Sequence, residues 1–167
     1  MSTVWLGIGS NIDNRISHIE FAVQQLSETL GNISRAELYE TAPRDFLDQD
    51  DFLNTVLRCE TDIHPRELLE LIHQIEDRGG RIRSNQQAEK GPRTLDIDIL
   101  LYDHLSETYT MKDGSDLVIP HQRMHERLFV LKPLMDLDPE LVDPRDSMAW
   151  CKKASQLEDQ QVRLYKR

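Results

Sequence analysis

Asp96 and Asp98 stand two residues apart in Leu95-Asp96-Ile97-Asp98-Ile99. On an extended strand a period of two sets both carboxylates on one face and the branched apolar residues on the other, with the two acids roughly 6.5–7 Å apart. Like charges placed side by side call for a cation. Hard oxygen donors with no thiolate nearby suit Mg²⁺, which takes one or two carboxylates and completes its shell with water and substrate phosphates. Just upstream, residues 78–93 carry five basic side chains, Arg78, Arg81, Arg83, Lys90 and Arg93, against the single acid Glu89. A basic run alone is an ordinary solvated loop. Ahead of an Asp-x-Asp strand it becomes an anion site, because the arginine fork holds phosphate oxygens with paired hydrogen bonds and never loses its charge. The two features together describe metal-assisted handling of a nucleotide or a pyrophosphate. The P-loop lysine signature is missing, and Gly7-Ile8-Gly9 lacks the third glycine of a dinucleotide fingerprint.

Phe52 and Asn54 share one strand face by the same period of two. An aromatic plate beside an amide that both donates and accepts suits a flat heterocycle, although a Phe and an Asn on a strand are commonly core and edge. Phe129 reads by default as a core aromatic. His121 and His125 are four apart, but Pro120 points to a helix start there rather than a mid-helix ligand pair, so a phosphate contact by His121 beside Arg123 and Arg127 is the better functional reading. Cys59 and Cys151 fit no metal spacing and read as free thiols.

These residues need elements to hold them. Residues 3–8 are a short apolar run that reads as a strand entering a tight turn at Gly7–Asn11. Ile16, Ile19, Val23, Leu26 and Leu30 then recur at helical spacing, with Asn11 or Asp13 as the candidate N-cap and Gly31 as the stop. Residues 33–41 and 52–61 read as strands separated by an acidic, proline-containing loop. Pro65 opens a second helix whose stripe of Leu68, Leu71, Ile72 and Ile75 ends at Gly79-Gly80. Residues 81–93 form a loop, 94–102 alternate as a strand, 103–116 are polar, and 117–119 make a short strand. A helix is expected around 124–131 between Pro120 and Pro133, another from an Asp146 cap to about 159, and an edge strand at 162–165. The order is that of an α+β ferredoxin-like βαββαβ sandwich: a mainly antiparallel sheet with helices packed on it, plus C-terminal helical additions.

The chain has 167 residues, which suits one domain over 1–167. Its formal net charge of −10 disfavours polyanionic nucleic acid as a partner, and argues against a ferredoxin-like RNA-binding module. The absence of a long apolar span or a leader-like N-terminus points to a cytoplasmic protein with no membrane partner.

Gly7-Ile8-Gly9-Ser10-Asn11, Asp51-Phe52-Leu53-Asn54, Gly80-Arg81-Ile82-Arg83, Gly91-Pro92-Arg93-Thr94-Leu95-Asp96-Ile97-Asp98-Ile99-Leu100 and Ile119-Pro120-His121 through Arg127-Leu128-Phe129 together resemble the 6-hydroxymethyl-7,8-dihydropterin pyrophosphokinases of folate biosynthesis over about residues 3–145. The resemblance implies transfer of the β,γ-pyrophosphoryl unit of ATP to the hydroxymethyl oxygen of a reduced pterin, releasing AMP. It implies that Asp96 and Asp98 hold two Mg²⁺ ions, that Arg81 and Arg93 support the transferring group, and that Arg83, His121 and Arg127 contact the phosphates or ribose, with His73 and Glu76 near the nucleotide. Phe52 and Phe129 would sandwich the pterin, Asn54 would read its edge, and Thr41, Ala42, Pro43 and Arg44 would finish the pocket. Asp98 or a metal-bound water would take the proton. A monomer is expected, with a dimer as the alternative. The chain departs from the family pattern at Lys90, Glu89, Gln122, Ala42 and Arg44, which motivates a second reading: a catalytically weak or inactive paralogue that binds nucleotide or pterin.

Overall fold

The computed structural model describes residues 1–43, 48–80 and 93–166. In chain order these form β1 (Ser2–Ser10), α1 (Arg15–Ser27), β2 (Gly31–Arg35), β3 (Tyr39–Thr41), β4 (Phe52–Thr61), α2 (Pro65–Arg78), β5 (Asp96–Tyr102), β6 (Glu107–Thr110), β7 (Asp116–Ile119), a 3-10 turn (Met124–Glu126), α3 (Leu128–Leu137), α4 (Trp150–Ser155) and β8 (Val162–Leu164). β1 pairs antiparallel with β4 on one side and β5 on the other. The sheet runs β5-β1-β4-β3-β8, with β2 also paired to β4, so the ferredoxin-like α+β arrangement expected from the sequence is present. No helix among the described residues is long and apolar enough to cross a membrane.

Strand alternation divides the core into two. Val4, Leu6, Ile8, Leu53, Leu57, Ile97 and Ile99 face α1 and α2, where Ile19, Leu26, Leu68, Ile72 and Ile75 meet them. On the opposite face Trp5, Val56, Leu100 and Leu101 pack under α3 and α4 against Leu131, Leu134 and Trp150. The register places Trp5 opposite Leu101 but Leu6 opposite Ile99. That one-residue slip is a β-bulge, and it turns both Leu100 and Leu101 to the second core, breaking the alternation expected over 94–102.

Several boundaries differ from the sequence reading, each for a local reason. β1 continues through Ser10, so Gly7 and Gly9 are strand residues rather than a tight turn. The α1 N-cap is Asn14, whose side chain accepts from Ser17 N–H; Asp13 has φ 54 and turns the chain into the helix, while the Asn11 amide is engaged elsewhere. α1 ends at Ser27, and Gly31 already pairs with Glu60 in β2. The 33–41 segment is two strands, with Ala36 N–H bonded to the Val56 carbonyl between them. The polar 103–116 stretch hides β6, whose hairpin with β7 turns at Gly114, φ 84; its mainly exposed side chains leave no apolar period to read. The helix expected at 124–131 is a 3-10 turn followed by α3, which runs past Pro133 because Val130, Leu131 and Leu134 bury its apolar face. α4 begins after Ala149, not at Asp146, and stops at Ser155.

Asp146 and Asp143 instead organise the turn before α4. Asp143 is fully buried and accepts from Arg145 Nε (2.9 Å) and Nη2 (2.6 Å) and from Lys153 Nζ, which also reaches Asp146 at 2.8 Å. Both cations lie over the buried Trp150 ring, Lys153 Nζ at 5.0 Å and the Arg145 guanidinium at 5.8 Å from its centroid. Burial pushes the Asp143 carboxyl up, but the bonds from Arg145 and Lys153 outweigh it and hold the group at about 2. A carboxyl with a depressed folded-state pKa stabilises the fold above its unfolded value, near 3.9, and loses that contribution as pH falls through the folded value. Asp143→Asn is therefore expected to lower stability at neutral pH by roughly 2–3 kcal/mol. The difference from the parent should shrink as the pH is lowered from about 4 toward about 2, as read from denaturant midpoints across that window.

Candidate active site

The α3–α4 layer covers only one end of its sheet face. Along β1 that face reads Trp5, Gly7, Gly9; along β4 it reads Val56, Asn54, Phe52; along β5 it reads Leu100, Asp98, Asp96. The apolar end carries the helices, and the other end opens into a cavity of about 450 Å³. Gly7 pairs with Asp98 and Gly9 with Asp96 on one side, and Gly9 with Asn54 on the other, so two glycines floor the space between the acids and the amide. A Cβ on Gly9 would come within 2.9 Å of Asn54 Oδ1, whereas one on Gly7 would meet only Leu100 methyls, at 3.4 Å.

Asp96 and Asp98 point into the cavity from the same face of β5, as the period of two required. Arg93 Nη1 donates to Asp96 Oδ2 at 2.6 Å. Asp98 lies 3.9 Å from both His121 Nε2 and Arg127 Nη1. Burial, and then the neighbouring Asp96 carboxylate, push the Asp98 carboxyl up to about 7 despite the guanidinium of Arg127. Crowded oxygen donors of this kind fit a hard divalent cation. Among the described residues no group of three or more His, Cys, Asp or Glu is placed to cage an ion, so the acids offer a pair, which is the donor count that suits Mg²⁺.

His121 is fixed from two sides. Its backbone N–H donates to the Leu100 carbonyl at the bulge (2.9 Å), and its Nδ1 accepts from Arg123 N–H (3.2 Å). The ring hydrogen therefore sits on Nε2, facing Asp98. Desolvation, reinforced by Arg127, brings the imidazole down to about 4, so it is neutral near pH 7. His125 lies in the 3-10 turn, and the two histidines do not share a helix.

Phe52 and Phe129 line the cavity with Thr41, Ala42 and Pro43, and Asn54 lies between β1 and β3. Asn54 is 6 % exposed, and its Nδ2 has no hydrogen-bond partner among the described residues. A buried amide donor without a partner carries a desolvation cost that an acceptor on a bound ligand would offset. The Arg127 guanidinium stacks 5.7 Å above the Phe129 ring, joining the aromatic and cationic parts of the cavity. Asn11 ties the rim. Its Nδ2 donates to Gln49 Oε1 (2.9 Å) and the Asp50 carbonyl (3.2 Å), while its Oδ1 accepts from Arg93 N–H (2.7 Å).

Not every expected residue is here. Glu76 is 1 % exposed and is not presented to the cavity; its Oε1 accepts from Ile97 N–H at 2.8 Å, securing the edge strand that carries both aspartates. His73 also lies outside this lining, on α2. Arg44, Arg81 and Arg83, with Glu89 and Lys90, lie outside the described residues. Conversely, Gln49, Leu100 and Gln122 line the cavity without a site role expected from the sequence, and Arg123, read beside His121, lines it as well. Two glycines two apart are the one sequence signal of the floor, but they mark a gap on one face only once Gly7 and Gly9 are known to be strand residues.

The family model described as 7,8-dihydro-6-hydroxymethylpterin-pyrophosphokinase matches residues 5–139. The 2-amino-4-hydroxy-6-hydroxymethyldihydropteridine pyrophosphokinase of Aquifex aeolicus is 38% identical over 145 residues, 86% of this chain and 85% of that protein. The folic acid synthesis protein fol1 of Pneumocystis carinii is 38% identical over 142 residues, 84% of this chain but 18% of its own length, so the chain spans only a fraction of such larger relatives. The Plasmodium falciparum HPPK-DHPS crystal structure superposes with a TM-score of 0.74 at 17% identity, over 93% of this chain and 43% of that one, a likeness of fold.

The glycine floor carries a direct test. Gly9→Ala, which must displace the Asn54 amide, is expected to cost roughly 1–3 kcal/mol, and Gly7→Ala less than about 1 kcal/mol. Urea denaturation of the two variants side by side measures this, and equal midpoints would refute the close packing of Gly9 on Asn54.

Proposed function

The chain belongs to the 7,8-dihydro-6-hydroxymethylpterin-pyrophosphokinase family, and we propose on that premise how its cavity performs the reaction. The protein transfers pyrophosphate from ATP to the hydroxymethyl group of 6-hydroxymethyl-7,8-dihydropterin, giving AMP and the pterin diphosphate for folate synthesis. It is an ATP-dependent diphosphotransferase. The observation that carries the substrate assignment is the unpaired, buried Asn54 amide in a cavity that Phe52 and Phe129 also line. A pterin is flat enough to stack between two aromatic rings, and its edge presents the acceptors that Asn54 Nδ2 lacks. Thr41, Ala42 and Pro43 close the remaining side of the ring.

Asp96 and Asp98 would hold Mg²⁺, two ions in our reading, which when bound neutralise and polarise the phosphate oxygens. This chain's own groups do the rest. Arg93, oriented by its bond to Asp96, and Arg81 support the transferring pyrophosphoryl group, where charge develops. His121 offers a neutral Nε2–H to a phosphate oxygen, and Arg127 adds a fixed positive charge beside it. Glu76 acts through Ile97, holding the strand rather than the nucleotide. The hydroxymethyl oxygen bonds to the β-phosphorus as the bridge to the α-phosphate breaks, its proton passes to Asp98 directly or through water, and AMP leaves. The two aromatic walls orient the acceptor for in-line attack. We assign this activity to residues 1–167 as one domain.

Purified protein is expected to form AMP only when ATP, Mg²⁺ and the hydroxymethyl dihydropterin are all present. Asp96→Ala and Asp98→Ala should each lower kcat/KM by about three orders of magnitude or more while circular dichroism and the thermal midpoint stay near those of the parent. Near-normal turnover in both would rule out the metal role. Absence of AMP from the parent protein at saturating Mg²⁺ would rule out this substrate.

A further inference from the structure

Residues 160–165 lie beyond the 5–139 segment matched by the family model, yet they brace both walls of the cavity. On one wall, β8 pairs with β3, setting Val162 opposite Thr41, and Tyr165 N–H donates to the Leu38 carbonyl. On the other, the Val162 carbonyl accepts from Lys132 Nζ of α3 at 3.3 Å. Between them sits Gln160. Its side-chain Oε1 accepts from Leu128 N–H (3.0 Å), and its Nε2 donates to the Glu126 carbonyl (2.8 Å). One amide thus grips the backbone on both sides of Arg127.

The grip adds to bonds Arg127 makes itself, its N–H to the Met124 carbonyl (3.2 Å) and its carbonyl from Val130 and Leu131 N–H, by fixing the two peptide groups that flank it. Arg127 occupies the N-cap position of α3 in an extended conformation, φ −120 and ψ 96, and no side chain of its own segment caps the helix. Leu128 N–H is one of the orphan donors of a helix start, and Gln160 supplies its acceptor from 32 residues downstream. Gln160 is itself anchored, its N–H bonded to the Leu157 carbonyl in the turn after α4. From Arg127 the side chain reaches toward Asp98 and stacks on Phe129, so the backbone angle that Gln160 sets decides where a guanidinium and an aromatic plate both lie.

We infer that Gln160 is a positioning residue for the transfer reaction: it holds the Glu126–Leu128 backbone so that Arg127 meets the nucleotide and Phe129 meets the pterin. The inference rests on the roles assigned above to Arg127 and Phe129. Gln160→Ala is expected to raise KM for ATP and for the pterin about tenfold, as for the loss of two hydrogen bonds, with kcat changed less than about threefold. In an Arg127→Ala background the same substitution should no longer change KM for ATP, because it acts through Arg127; additive effects would mark a merely structural role and overturn the proposal. The Arg127 Nε–H resonance in a ¹H–¹⁵N spectrum provides a readout independent of activity. It should move toward the position of an unconstrained arginine in Gln160→Ala, and an unmoved resonance overturns the proposal. A moved resonance with unchanged kinetics would overturn the proposal through its premise, removing Arg127 from nucleotide binding, and would leave only a structural tie between Gln160 and Arg127.

Discussion

The structure depends on β1 being paired on both sides while one of its faces changes character halfway along. Trp5 lies under α3 and α4, and Gly7 and Gly9 two and four residues later carry nothing. Because the neighbouring strands are locked in register by backbone hydrogen bonds, the change is stepped across them: Gly7 has Asp98 on one side and the still apolar Val56 on the other, and Gly9 has Asp96 and Asn54. Helices can cover only the apolar end, since burying paired carboxylates and an unpaired amide under them would cost several kcal/mol without compensation. The cavity is therefore a consequence of strand pairing. It is the part of the face that no helix can cover.

Charge in this protein is divided by location. The net charge of −10 belongs to the surface as a whole, while Arg93, Arg123 and Arg127 converge on one opening around two aspartates. In a cavity partly walled from water such groups act more strongly on one another than the same groups do on the surface. His121 shows the result: surrounded by protein and by arginine, it remains neutral, while Asp98 is pushed upward by burial and by Asp96. An acidic chain thus gathers three of its arginines around one pair of carboxylates.

Much of this was legible from residue order. Pro65 at the first helical turn, the 52–61 strand and the shared face of Asp96 and Asp98 follow from proline geometry and from a period of two, which act over a few residues. What could not be read were features whose partner is distant in sequence. The β6 strand has mainly exposed side chains, so only its pairing with β7 reveals it. The bulge at Leu100 exists because β1 and β5 slip by one residue. Glu76 was expected beside the nucleotide, but it lies buried against the edge strand, a placement fixed by how α2 docks on β5.

The sequence by itself determined the strand and helix periods, the paired carboxylates, the amide and aromatic on one strand face, and the arginine-rich approach to them. Those are local facts, set by backbone geometry and side-chain chemistry. Only the tertiary structure decided that two glycines clear a floor between the acids and Asn54, that Asn11 ties Gln49 to Arg93, that His121 keeps its hydrogen on Nε2, and that Gln160 grips the chain around Arg127. Each joins groups through contacts made across strands, turns or long stretches of chain, and such contacts come into being only when the strands pair and the helices pack.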